Sequence, residues 1–130
     1  MTKFDLVCII DDDPIIVFGT KKLMELANFC GNFMVFENGK LALEGLKPLI
    51  QNQDLLPEII LLDINMPVMD GWEFLEEITK IEPLKTITIY MVSSSIDPAD
   101  IKRAESYSIV DKYIVKPINL EGIKKMMSDT

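Results

Sequence analysis

The chain has 130 residues, 48% of them hydrophobic, and a formal net charge of −8 from 21 acidic against 13 basic residues. That size suits one domain with one sizeable core, while the acidic balance repels nucleic acid phosphates and anionic lipid. No apolar run approaches the roughly 20 residues that span a bilayer, and Met1-Thr2-Lys3-Phe4-Asp5 lacks the apolar segment of a secretory leader, so a cytoplasmic protein contacting neither nucleic acid nor membrane is expected.

A first strand is expected over residues 4–10, FDLVCII, with Cys8 as a thiol of the core. Asp13-Pro14 then offers an N-cap followed by proline in the first helical position. The second strand is expected over 32–36, NFMVF. Cys30 precedes it, at a distance from Cys8 that matches neither a metal pair nor a redox pair, so both thiols should be reduced. Asn38-Gly39 marks the next helix start, and KPLIQNQDLLPE (47–58) reads as a surface excursion beyond that helix. A third strand, EIILL (58–62), carries four apolar residues in a row straight into Asp63. Downstream, Asp70-Gly71-Trp72-Glu73 places an acid three residues after a capping Asp, and Trp72 reads as a staple at the helix start. Strands over 86–92 and 110–115 complete the series, with helix starts at Asp97-Pro98 and Asn119. Met126 and Met127 read as adaptable core filling.

This alternation predicts a single α/β domain over residues 1–130, with a parallel sheet and helices on both faces. The strands at 4–10 and 58–62 are apolar on both sides and belong in the middle. If they are neighbours, the winding direction reverses between them, and the crevice beyond their C-terminal ends is the expected ligand site. Asp11, Asp12 and Asp63 fall there.

Histidine is absent, which removes imidazole acid/base catalysis, histidine-ligated zinc and a phosphohistidine carrier role from this chain. Carboxylates, hydroxyls and lysine remain. Two like charges about 4 Å apart repel by about 4 kcal/mol at an effective dielectric near 20, so clustered Asp11, Asp12 and Asp63 call for a positive partner. A hard divalent cation such as Mg2+ suits such a site and leaves positions open for a phosphoryl group. The plainer reading of DDDP is an acid-rich helix start; it accounts for Asp13 but poorly for Asp11 and Asp12, which precede the helix. Beside a metal, Asp63 can act as a nucleophile toward phosphorus. A transferred phosphoryl group also needs donors around its outer oxygens, and YMVSSS and YIVKP bring Ser93 and Lys116 to the same sheet edge. A turn serine and a solvated lysine would each explain one of these residues; four of five strand ends carrying such groups point to phosphoryl transfer.

IIDDDP, LLDINMPVMDG, MVSSS and YIVKP, in this order, resemble the receiver domain of two-component response regulators across essentially the whole chain. The resemblance implies a doubly wound, flavodoxin-like (βα)5 fold of five parallel strands in the order 2-1-3-4-5. It implies Asp63 as phosphoacceptor and metal ligand, Asp12 as the direct Mg2+ ligand of the acidic pair with Asp11 orienting it or holding metal-bound water, and the Asn65 backbone carbonyl as a further ligand. Lys116 would bind a phosphoryl oxygen, Ser93 would be the switch hydroxyl and Tyr113 the aromatic that moves with it. The Lys116-Pro117 bond would be cis. Asn65 and Ser95 stand at positions whose side chains influence dephosphorylation in the family.

The implied donor is a phosphohistidine on a sensor histidine kinase or a histidine phosphotransfer protein. The implied output is protein contact through the face of helix four, strand five and helix five, with no output domain in the chain. Two other functions compete: a binding module of the same fold that ignores phosphate, and a phosphohydrolase with an Asp nucleophile. The hydrolase commonly needs a second acid two residues after its nucleophile, where this chain has Asn65.

Overall fold

The computed structural model describes residues 2–52, 55–81 and 87–128. They form β1 (Phe4–Ile10), α1 (Pro14–Leu26), β2 (Cys30–Phe36), α2 (Gly39–Gln51), β3 (Ile59–Asp63), α3 (Gly71–Ile78), β4 (Thr88–Ser93), α4 (Pro98–Glu105), β5 (Val110–Val115) and α5 (Leu120–Ser128). The strands pair in parallel in the order β2-β1-β3-β4-β5. This is the doubly wound α/β sheet that the alternation and the resemblance both predict.

Period-two alternation divides the core between two faces. Val7, Ile9, Ile59, Leu61, Tyr90 and Val92 pack with Met24 of α1 and with Ile123 and Met126 of α5. The intervening residues Cys8, Ile10, Ile60, Leu62, Ile89 and Met91 pack with α2, α3 and Ala104 of α4. Every residue of β3 is buried, as a strand covered on both sides requires. Each such Ile or Leu contributes about 1.5–3 kcal/mol by leaving water. Both cysteines are buried and unbridged; burial pushes both thiols up, Cys30 to about 11.

Local hydrogen bonds set the helix ends. The Asp13 carboxylate accepts from the Ile15 and Ile16 N–H groups, and Asn38 and Asp97 cap α2 and α4 in the same way. Asp70 and Glu73 close a reciprocal capping box at 2.8 and 3.1 Å. The Asn119 side chain accepts from the Gly122 N–H. At the far end of α1, Asn28 takes φ 54; the Phe29 N–H donates to the Met24 carbonyl and the Asn28 N–H to the Glu25 carbonyl. That is a Schellman closure with asparagine in the usual glycine position.

Three expectations are corrected. Strand β2 begins at Cys30, not at residue 32. Helix α2 continues through Gln51, past Pro48, so residues 47–51 are not an excursion. The stripe Ala42, Leu46 and Ile50 is buried and outweighs the bond that an exposed proline removes. Residues 53–54 of that stretch, and residue 86 of the expected fourth strand, lie outside the described residues. Trp72, second in α3, is no staple: it stacks on Tyr107 at 6.3 Å and lies under the Arg103 guanidinium at 4.5 Å. A staple joins the residue before the N-cap to the fourth helical residue, whereas the second residue here faces sideways toward α4.

Candidate functional site

β1 and β3 are neighbours, and from this pair β2 lies on one side and β4 on the other. The winding therefore reverses at their C-terminal ends, where backbone groups open into a crevice. Asp11 follows β1 directly; its N–H donates to the Phe36 carbonyl and its Oδ1 accepts from the Asp13 N–H at 2.9 Å. Asp63 is the last residue of β3 and Ser93 the last of β4. The Lys116 N–H donates to the Ser93 carbonyl at 2.8 Å, and the Lys116–Pro117 bond is cis.

The side chains of Asp11, Asp12, Asp63 and Lys116 converge. One carboxylate oxygen from each of Asp11, Asp12 and Asp63 lies within 4.8 Å of the others. Lys116 Nζ is 2.9 Å from Asp11 Oδ2 and 3.2 Å from Asp63 Oδ1. Asp11 and Asp63 are buried and Asp12 is exposed, so the cluster opens to solvent on the Asp12 side. The pairing of Lys116 with Asp11 is not legible in the sequence, because it depends on how far the Lys116 side chain reaches across the sheet edge, its backbone staying bonded to Ser93 of β4 while its Nζ meets the acid beyond β1.

Burial, then the Asp11 charge, push the Asp63 carboxyl up to about 6, against the opposing pull of Lys116. Burial alone would lower the Lys116 ammonium; its hydrogen bond to Asp11 and the charges of Asp11 and Asp63 outweigh this and raise it. Burial is the first cause of the upward shift of Asp63, and the neighbouring Asp11 and Asp12 charges add to it, so the acids of this pocket are not fully offset by Lys116. Hard oxygen donors, a net negative pocket and an open side fit a divalent cation such as Mg2+.

Ser93 is fully buried, and its Oγ accepts from the Ser95 N–H at 3.1 Å. Tyr113 is half-buried and donates its hydroxyl to the Ser95 carbonyl at 2.9 Å. Asn65 lies on the exposed start of the loop after Asp63.

Val68 in that loop and Gly71, where α3 begins, carry roles the sequence did not reveal. The Gly71 N–H donates to the Ile64 carbonyl at 2.8 Å, and a Cβ built on Gly71 would collide with the Asp63 carbonyl oxygen and lie 3.0 Å from Ile64 Cα. Val68 holds φ 70 while 74% exposed. For a β-branched residue this conformation costs about 1–2 kcal/mol, with little burial to offset it. Val68→Asn is expected to raise stability by about 1 kcal/mol, seen as a higher urea midpoint with an unchanged slope; a lower midpoint would show that the valine side chain holds the loop.

The sequence matches the response regulator receiver domain over residues 7–128. It is 27% identical over 124 residues to the probable methanogenesis regulatory protein FilR2 of Methanothrix harundinacea, covering 95% of this chain and 79% of that protein. With the probable C4-dicarboxylate response regulator DctR of Halalkalibacterium halodurans it shares 30% over 122 residues, 94% of this chain but 49% of that one. With the two-component response regulator ORR1 of Oryza sativa subsp. japonica it shares 29%, covering 92% of this chain and 52% of that one. The chain therefore spans about half the length of these last two relatives. Among solved structures, a two-component response regulator from Cytophaga hutchinsonii gives a TM-score of 0.85 at 28% identity, over 97% of this chain and 98% of that one. The chemotaxis response regulator CheY4 of Vibrio cholerae gives 0.77 at 23% over the same shares, a likeness of fold. Matched along nearly its whole length, and carrying its acids and lysine at the switch point of a 2-1-3-4-5 sheet, the chain belongs to the response regulator receiver domain family of two-component systems.

Proposed function

We propose that Asp63 is a phosphoacceptor and that these 130 residues act as one receiver unit, cytoplasmic and signalling by protein contact. One observation carries this reading: the buried Asp63 carboxylate shares a single ammonium with Asp11 in a pocket open on the Asp12 side. Asp11, Asp12, Asp63 and the Asn65 backbone carbonyl would hold Mg2+. Bound there, the ion would offset the negative charge of the acids and of the incoming phosphoryl oxygens.

The donor is a phosphohistidine on a sensor histidine kinase or a histidine phosphotransfer protein. An Asp63 oxygen attacks phosphorus in line; the P–N bond breaks and its electron pair leaves with the imidazole. The Lys116 ammonium, already 3.2 Å from Asp63, follows the charge onto a phosphoryl oxygen. Ser93 turns its hydroxyl toward the new group and gives up the Ser95 N–H, and Tyr113 follows through its bond to the Ser95 carbonyl. The population shifts toward an arrangement that a downstream protein reads on the α4, β5 and α5 face. No helix among the described residues is long and apolar enough to cross a membrane, and the acidic surface disfavours nucleic acid.

Incubation with acetyl phosphate and Mg2+ is expected to add one phosphoryl group by intact mass, and Asp63→Asn to remove the gain entirely. An unchanged wild-type mass would favour a phosphate-independent binding module. Release of many equivalents of phosphate from an external ester would favour a hydrolase.

A further inference from the structure

α4 is weakly anchored by apolar contact: of its eight residues, only Ala104 is buried. Polar and aromatic contacts hold it at both ends instead. At its N-terminal end the Ser95 hydroxyl donates to Asp100 at 2.7 Å, and the Ser95 N–H donates to Ser93 Oγ at 3.1 Å. The Ser93 hydroxyl is thereby tied through one residue to α4. Toward the other end, the Arg103 guanidinium lies 4.5 Å from the Trp72 ring centroid. Just beyond α4, Tyr107 stacks on Trp72 and donates its hydroxyl to Glu76 of α3. A cation over an indole, a stacked ring and a charged acceptor together make a clasp between α4 and α3.

We propose that this clasp of Trp72, Glu76, Arg103 and Tyr107 is a positioning device that holds α4 in the arrangement where Ser93 faces Ser95, and so opposes phosphoryl binding at Asp63. The inference rests on the reading of Asp63 given above. When Ser93 turns to a phosphoryl group it releases the Ser95 N–H. The loop then loses its anchor on Ser93, and the strain passes through Ser95 and Asp100 to α4. Opening the clasp is the work the phosphoryl group must do. By linkage, weakening the clasp must tighten phosphoryl binding by the same factor. Trp72 is the chain's single tryptophan, buried under the clasp, so it reports opening directly.

The test titrates beryllium fluoride, a phosphoryl mimic, in the presence of Mg2+. In wild type, binding is expected to red-shift Trp72 emission and to speed amide exchange across residues 98–105. Arg103→Ala should tighten binding roughly five-fold, with Trp72 already shifted before the mimic is added; Arg103→Lys, which keeps a cation over the ring, should recover part of the wild-type value. Tyr107→Phe removes only the bond to Glu76 and should act in the same direction with a smaller effect, which covers the case in which Arg103→Ala unfolds. Wild-type affinity in both Arg103→Ala and Tyr107→Phe, or α4 exchange that ignores the mimic, would overturn the clasp alone. A wild-type protein that binds no mimic would overturn the reading of Asp63 and the clasp with it.

Discussion

Gly71→Ala is expected to destabilise the protein by about 2–4 kcal/mol and to weaken phosphoryl labelling of Asp63 in the molecules that still fold. The first helical position of α3 packs against the backbone that carries the candidate nucleophile. A methyl group there would collide with the Asp63 carbonyl oxygen and press on Ile64 Cα at 3.0 Å, and neither is a flexible side chain that can turn aside. Relief requires the start of α3 to withdraw, which breaks the 2.8 Å bond from the Gly71 N–H to the Ile64 carbonyl. It also disturbs the Asp70–Glu73 capping box, which contributes about 1 kcal/mol. Urea unfolding gives the stability, and intact mass after acetyl phosphate treatment gives the labelling. Stability within about 0.5 kcal/mol of wild type would show that the loop yields without strain and that the close approach has no role in holding Asp63.

That close approach also marks where sequence reasoning stops. Gly71 reads from sequence as a turn former beside a capping Asp, because capping chemistry is local: Asp13, Asn38, Asp70 and Asp97 each bond N–H groups two or three residues ahead. The centre of the sheet is legible for a similar reason, since only a strand covered on both faces tolerates a run like IILL. Once β1 and β3 are neighbours, parallel pairing brings Asp11, Asp63, Ser93 and Lys116 to one edge. What sequence does not carry is the distance between elements. Trp72 meets Arg103 because of where α4 lies, and Lys116 reaches Asp11 because its side chain extends across the strand ends from a backbone held beside β4. The left-handed backbone of Val68 is equally hidden, as valine is among the residues least suited to it. At Pro48 and at the start of β2 the reading fails because burial of Ile50 and Cys30 overrides the local signals of proline and glycine.

Lys116→Ala is expected to lower stability by about 2–4 kcal/mol at pH 8 in EDTA, and by only about 1 kcal/mol at pH 5. The ammonium lies 2.9 Å from Asp11 and 3.2 Å from Asp63, with all three side chains largely removed from water. Removing it leaves two buried carboxylates facing each other. The folded state holds the Asp63 carboxyl at about 6, above its usual 3.8, with burial the first cause and Asp11 the second. A group raised in this way contributes stability below its unfolded pKa and loses it as pH rises through the folded value. Lys116 is what holds that value down, so in the alanine variant it moves higher and the penalty at pH 8 grows. At pH 5 Asp63 can take up a proton, which removes one of the two charges and most of the repulsion. Lys116 itself stays charged in both states over this range, because its own shift is upward from 10.5, so the pH dependence belongs to Asp63. Urea unfolding at the two pH values separates the outcomes. Equal losses at pH 5 and pH 8 would mean that Asp63 is not the group whose charge Lys116 offsets, and the electrostatic account of the pocket would fall with it.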